Sequence, residues 1–197
     1  MKRIKKSIWV ALIVLASQAN ATDVSSSLNV VKTGTKSFDL SMSNVRGNVQ
    51  LFLKNDKNQG IYNRTFKTNN SLRKRFDMSL FQDGVYTMEL EDAQKVVSLT
   101  IVIENDTLTI DDTEQKTQFL PVIHLRDKIV SINKLALDDE LVTIRVMDQF
   151  HELIHEKTLR GSGNLGQRYD FSQSLKGTYT FAVETGNKTI YREVKIK

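Results

Sequence analysis

One run in this chain has the spacing of a metal site. His151-Glu152-Leu153-Ile154-His155 matches H-E-x-x-H, in which two histidines hold zinc and the glutamate acts as general base. That chemistry depends on a helix. Residues four apart on a helix are neighbours, about 6 Å apart, so both imidazoles can reach one ion at about 2.1 Å. On a strand the same four steps cover about 13 Å, and the two rings cannot share a metal. Glu184 is the third ligand such a site would draw on, and no histidine follows at the metzincin spacing. Two carboxylate groups, Asp138-Asp139-Glu140 and Asp111-Asp112-Glu114, offer the oxygen donors that calcium takes; adjacent acids in turns are also commonly just solvated. Arg73-Lys74-Arg75 can contact an anionic polymer, or can charge a sheet edge against strand pairing. The remaining residues offer no arguable Ser-His-Asp or paired-carboxylate arrangement. Tryptophan, the usual sugar-stacking side chain, occurs once, at Trp9.

Which reading of the histidines holds depends on the elements around them. Short runs alternate apolar and polar residues: Phe38-x-Leu40-x-Met42, Val49-x-Leu51-x-Leu53, Tyr86-x-Met88-x-Leu90 and Val97-x-Leu99-x-Ile101-x-Ile103. Strict period-two alternation means one buried and one wet face, as in antiparallel sheets. Turn residues separate the runs, most strongly Asn55-Asp56-Lys57-Asn58-Gln59-Gly60. No window of twelve or more residues shows helical periodicity. The polar second half of Asn105–Gln118 reads as an interdomain linker, and Pro121, the single proline, belongs at a strand start or an edge.

The pattern then repeats. A shift of 93 residues aligns 49–103 with 142–196 without a gap, and thirteen of those 55 positions are identical. Among them are Asp77/Asp170, Ser79/Ser172, Gly84/Gly177 and Tyr86/Tyr179, while Leu51/Ile144, Met88/Phe181 and Ile101/Val194 keep the apolar alternation. Asp77, Gly84 and Tyr86, with Asp170, Gly177 and Tyr179, form the structural signature of the unit. The glycines are expected to free the backbone at the turn entering a strand. The tyrosines are expected to bury their rings and return the hydroxyl to the backbone at a corner. Under the same shift, residues 151–155 fall on Asn58-Gln59-Gly60-Ile61-Tyr62, a turn running into a strand. The repeat therefore predicts a hairpin with two solvent-facing imidazoles and no zinc.

The first 21 residues read as a secretory leader. Lys2, Arg3, Lys5 and Lys6 precede a short apolar run, Ile8 to Ala16, and Ala19-Asn20-Ala21 supplies small residues for cleavage before Thr22. The run is too short to span a bilayer comfortably. The whole chain carries 28 basic and 23 acidic residues; the leader holds four of the basic ones and no acid, which leaves the remainder at +1. The excess charge thus belongs mostly to the leader and gives no reason to expect nucleic-acid binding. With no cysteine anywhere, the exported chain must be held by its core and cannot carry a lipid on an N-terminal cysteine.

The residues Val142-Thr143-Ile144-Arg145-Val146-Met147-Asp148, Tyr169-Asp170-Phe171-Ser172, Gly177-Thr178-Tyr179-Thr180-Phe181 and Arg192-Glu193-Val194-Lys195-Ile196 resemble small immunoglobulin-like domains of exported Bacteroidetes proteins, including the C-terminal sorting domains of type IX secretion substrates. The first half resembles the same pattern more loosely. Asp106-Thr107-Leu108 also fits the Asp-Ser/Thr-aliphatic sequence that some Bacteroidetes glycosylate at Thr107. The expected fold is all-β: two tandem immunoglobulin-like antiparallel β-sandwich domains, residues 28–110 and 117–197, after the leader at 1–21. The expected role is an exported, non-enzymatic binding or structural protein of the bacterial cell envelope. It uses no cofactor, metal or membrane span, and its partner is a protein or cell-surface component. The resemblance offers a second role, a type IX substrate whose second domain sorts it. The local motif offers a third, a zinc metalloprotease using His151, Glu152 and His155.

Overall fold

The structure, a computed structural model, describes residues 26–186 and 188–197, and of residues 112–114 the backbone alone. The leader and its cleavage site before Thr22 lie outside the described residues. The described chain divides into two compact units, one ending at Gln118 and one beginning at Phe119. Both are built of antiparallel strands, with no helix among the described residues.

The first unit has strands β1 (Ser27–Lys32), β2 (Ser37–Val45), β3 (Val49–Asn55), β4 (Gly60–Phe66), β5 (Asn70–Asp77), β6 (Gly84–Glu91), β7 (Lys95–Glu104) and β8 (Thr107–Phe119). They form two sheets, β1-β2-β5 and β4-β3-β6-β7-β8. The alternating side chains put Phe38, Leu40 and Met42 of one sheet against Leu51, Leu53, Met88, Leu90, Leu99 and Ile101 of the other, in one buried cluster. Each such fully buried side chain contributes about 2 kcal/mol. Strand order and shared core define an immunoglobulin-like sandwich, with β1, β2 and β5 as A, B and E and β4, β3, β6 and β7 as C′, C, F and G. The segment expected to be a linker is not one: β8 continues through it to Phe119 as a strand beside β7.

The second unit has β9 (Val122–Arg126), β10 (Ile129–Met147), β11 (Leu153–Asp170), β12 (Gly177–Thr185) and β13 (Lys188–Ile196). The sheet carrying F and G repeats the first unit's pairing residue for residue at an offset of 93. Val49 faces Phe66 as Val142 faces Leu159, Gln50 faces Glu91 as Thr143 faces Glu184, and Gly84 faces Ile103 as Gly177 faces Ile196. The other layer is built differently from the expectation of separate short strands. β10 runs on from B into C, and β11 from C′ into E, so the second sandwich is one five-stranded sheet doubled over a common core. Three residues of β10 between Ala136 and Glu140 oppose one residue of β11, and Gly163 opposite takes φ +84°. The bend is pinned by the buried Lys134, whose ammonium lies 2.8 Å from Glu140 and donates to the Leu135 carbonyl at 2.7 Å. Thr185 also donates to Glu140, at 3.1 Å.

The B strands match at an offset of 92 rather than 93. Phe38 pairs with Phe76, but Val130 pairs with Tyr169. The slip arises between the B and C strands: from Val45, opposite Asn70, to Val49 is four steps, whereas from Ala136, opposite Gly163, to Val142 is six, and the bulged Asn44, at φ +56°, takes back one of those two.

Candidate functional site

His151 and Glu152 lie in the turn between β10 and β11, and His155 lies on β11 opposite Val146. The turn is closed by Asp148, whose carboxylate accepts the backbone N–H groups of Phe150 at 2.8 Å and Glu152 at 3.0 Å. His151 donates its own N–H to the Asp148 carbonyl at 3.0 Å and takes φ +61°. The first unit has the same turn. Asn55 accepts from Lys57 and Gln59 at 3.1 and 2.9 Å, and Asn58 takes φ +58°. His151 therefore holds a left-handed position that asparagine and histidine tolerate better than most residues. A turn followed by a strand does not give the two imidazoles the shared face that zinc ligation needs.

One expectation about this run is corrected. His155 does not face solvent. It is half-buried on the core side of β11, its ring 5.4 Å from that of Tyr169 in an edge-on contact. The alternation that buries Val146 also turns its cross-strand partner inward.

The signature residues form matching corners in both units. Asp77 accepts the N–H of Ser79 at 2.9 Å, and Asp170 that of Ser172 at 2.8 Å. These backbone bonds, helped by the serine side chains, hold both carboxyls below their usual pKa. Tyr86 donates its hydroxyl to the Gln82 carbonyl and Tyr179 to the Leu175 carbonyl, both at 2.8 Å. The two glycines differ. Gly84 has φ +157°, a backbone conformation that L side chains rarely adopt, whereas Gly177 has no such φ, and a Cβ added to it would meet Gln149 Oε1 at 3.3 Å.

The carboxylate groups are dispersed. Asp139 pairs with Arg160 at 2.9 Å and Glu140 with Lys134. Asp111 lies on β8, and the side chains of Asp112 and Glu114 are outside the described residues. Arg73-Lys74-Arg75 lies on β5, the edge of its sheet; Arg75 binds Asp39 across the ladder through Nε at 2.7 Å and Nη2 at 3.0 Å. Thr107 is exposed at the first position of β8.

A feature that no motif marks is a cleft of about 330 Å³ at the open side of the first sandwich, between β4 and β5. Leu51, Leu53, Met78, Met88, Phe76 and Phe81 line it, and Tyr62 and Phe66 close its sides. Over Phe66 stand two cations, Arg64 at 5.5 Å and Lys74 at 5.3 Å from the ring centroid. In the second unit four of the corresponding positions are aromatic, while Leu159 stands for Phe66, Ser174 for Phe81 and Val146 for Leu53. His155 stands for Tyr62, Tyr169 for Phe76, Phe171 for Met78 and Phe181 for Met88. Their rings touch in a chain: His155 to Tyr169, Tyr169 to Phe181 at 5.6 Å, Phe181 to Phe171 at 5.9 Å, and Phe171 to Tyr179 at 4.8 Å. The first unit instead stacks Phe76 on Phe38, with ring centroids 5.2 Å apart, and leaves the cleft. Comparing the aligned pairs Met78/Phe171 and Met88/Phe181 is the one sequence signal that points to it.

No protein-family model matches the chain, and no curated protein matches it. Among solved structures, it is similar to a biofilm-associated protein BSP domain at 12% identity and a TM-score of 0.28, over 86% of this chain; the chain spans 29% of that one. It is also similar to Escherichia coli alpha-2-macroglobulin spanning domains NIE-MG1, at 13% identity and a TM-score of 0.29, over 89% of this chain and all of that one. A chain from a structure of neurohormone perception by the receptor tyrosine kinase Torso matches at 12% identity and a TM-score of 0.27, over 90% of this chain and 76% of that one. Scores this low add nothing to the fold read from strand order.

Proposed function

We propose that this is an exported, non-enzymatic binding protein of the bacterial cell envelope, with two immunoglobulin-like repeats in different roles. The first repeat carries the binding site and the second is a filled structural copy. The observation that carries this reading is the contrast between the copies: one pairing scheme, with a lined cleft in the first where a chain of aromatic rings packs the second. A turn-and-strand setting for His151, Glu152 and His155 supports the non-enzymatic part, because the motif's chemistry depends on helical spacing. Among the described residues no helix is long and apolar enough to cross a membrane. The export part rests on the leader pattern at residues 1–21, with Thr22 as the mature N-terminus.

Fractionation of the native organism, with N-terminal sequencing of the recovered protein, tests this. The expected result is a chain beginning at Thr22 in the periplasmic or surface fraction, with envelope components retained by the wild type and lost when the first unit's cleft is filled. Intact protein starting at Met1 in the membrane overturns export. Surface delivery that depends on residues 119–197 would favour the type IX sorting role instead.

A further inference from the structure

We propose that the cleft between β4 and β5 binds a medium-chain fatty carboxylate, its tail against Tyr62, Phe76 and Phe81, which cover the buried Leu51, Leu53 and Met88, and its head at the Arg64 and Lys74 rim. This deepens the binding role above and rests on it.

Three observations carry it. The floor is apolar, which calls for a hydrocarbon or aromatic body. The rim is cationic. Arg64 and Lys74 stand over one ring, and neither forms an ion pair among the described residues. Two cations drawn to one aromatic ring leave positive charge at the rim, and an anion bound there gains charge-assisted hydrogen bonds. The other charged groups at the cleft are engaged: Arg75 by Asp39, and the Asp77 carboxylate by the Ser79 N–H. Size sets the third limit. At about 330 Å³ the cleft lies at the small end of ligand cavities, which run from about 300 to 1,000 Å³. It suits one short chain and leaves no room for a two-tailed lipid. The second unit supplies a partial contrast: Gln167 stands at the position of Lys74 and Phe181 at that of Met88, while Lys157 keeps a cation at that of Arg64.

Calorimetric titration of the purified exported protein tests the assignment, with decanoate, decyl phosphate, decanol and decyltrimethylammonium as probes. The expected result is one saturable decanoate site, weaker binding of decanol, and none of the cationic amphiphile. Arg64→Ala and Lys74→Ala, both at exposed positions, are expected to weaken decanoate about tenfold or more each. Met88→Phe, which places the second unit's residue in the floor, is expected to abolish it. Circular dichroism checks that each variant is folded, and the two rim variants keep the test independent of any repacking by Met88→Phe. No saturable decanoate binding, binding unchanged in both rim variants, or preference for decyltrimethylammonium overturns the proposal. Preference for decyl phosphate over decanoate overturns the carboxylate assignment. The titration does not depend on where the protein goes. An exported chain that ignores decanoate sinks this inference alone, and a binding-competent chain retained inside the cell sinks the export reading alone.

Discussion

Removing one hydroxyl from each tyrosine tests how alike the two corners are. Tyr86 and Tyr179 each donate at 2.8 Å to a carbonyl four residues upstream, and both rings are buried while the hydroxyl end is part-buried. Phenylalanine keeps the ring and deletes the bond. A typical hydrogen bond is worth about 1 kcal/mol net, and a carbonyl left partly dry adds to the loss, so each substitution is expected to cost about 1–2 kcal/mol. Tyr169 is the control. It is also a buried tyrosine of this sheet system, but its hydroxyl has no hydrogen-bond partner among the described residues, and burial pushes its pKa up to about 12. Tyr169→Phe removes a polar group that folding desolvates without recompense, so it is expected to be neutral or to stabilise by about 1 kcal/mol. Thermal and urea unfolding read all three, and for a unit of this size 1 kcal/mol moves the midpoint by about 4–8 °C. Equal losses at Tyr86 and Tyr179, with no loss at Tyr169, are the expected outcome. A loss at Tyr169 as large as at the corners, or no loss at either corner, would refute the hydrogen-bond reasoning.

Three other outcomes follow from the same geometry. His151→Gly should leave stability within about 0.5 kcal/mol, while His151→Val should cost about 2 kcal/mol, because a β-branched residue fits a left-handed turn position poorly. Glu140→Ala should cost about 3 kcal/mol in urea unfolding, since it strands the buried Lys134 ammonium, whereas the exposed Asp139→Ala should be near neutral. Asp77 and Asp170 have folded pKa values below their unfolded value of about 3.9, so their contribution is full above that pH and is lost as pH falls through the folded values. An Asp77→Asn/Asp170→Asn variant should therefore lose less stability than wild type between pH 5 and pH 2, roughly the range in which such carboxylates titrate, in denaturation curves across that range.

The repeat was legible because the F–G sheet obeys one rule in both units: inward residues two apart, paired in one register, with an Asp-x-Ser turn ahead of a tyrosine corner. That rule also placed His151 in a turn. What was not legible came from places where the backbone departs from the rule. The bulge at Asn44 shifts β2 by one residue, and asparagine alone does not announce a bulge. Asp138-Asp139-Glu140 reads as a polar turn, yet the Lys134–Glu140 pair and the opposing glycine let β10 bend without ending. β8 read as a linker because its polarity hides a strand that needs only its ladder to be stable. His155 faced inward because its cross-strand partner does, a fact of register rather than of composition. The cleft left only the trace of the aligned pairs Met78/Phe171 and Met88/Phe181, because its lining comes from several strands and no two of its residues form a motif.

Metal analysis of the purified wild-type protein, with His151→Ala and His155→Ala beside it and a peptidase assay on all three, tests the proposal that this pair of sandwiches is not a zinc enzyme. The account predicts zinc far below one ion per chain, no change in either variant, and no peptidase activity. One zinc per chain, lost in both variants together with a peptidase activity, would contradict it.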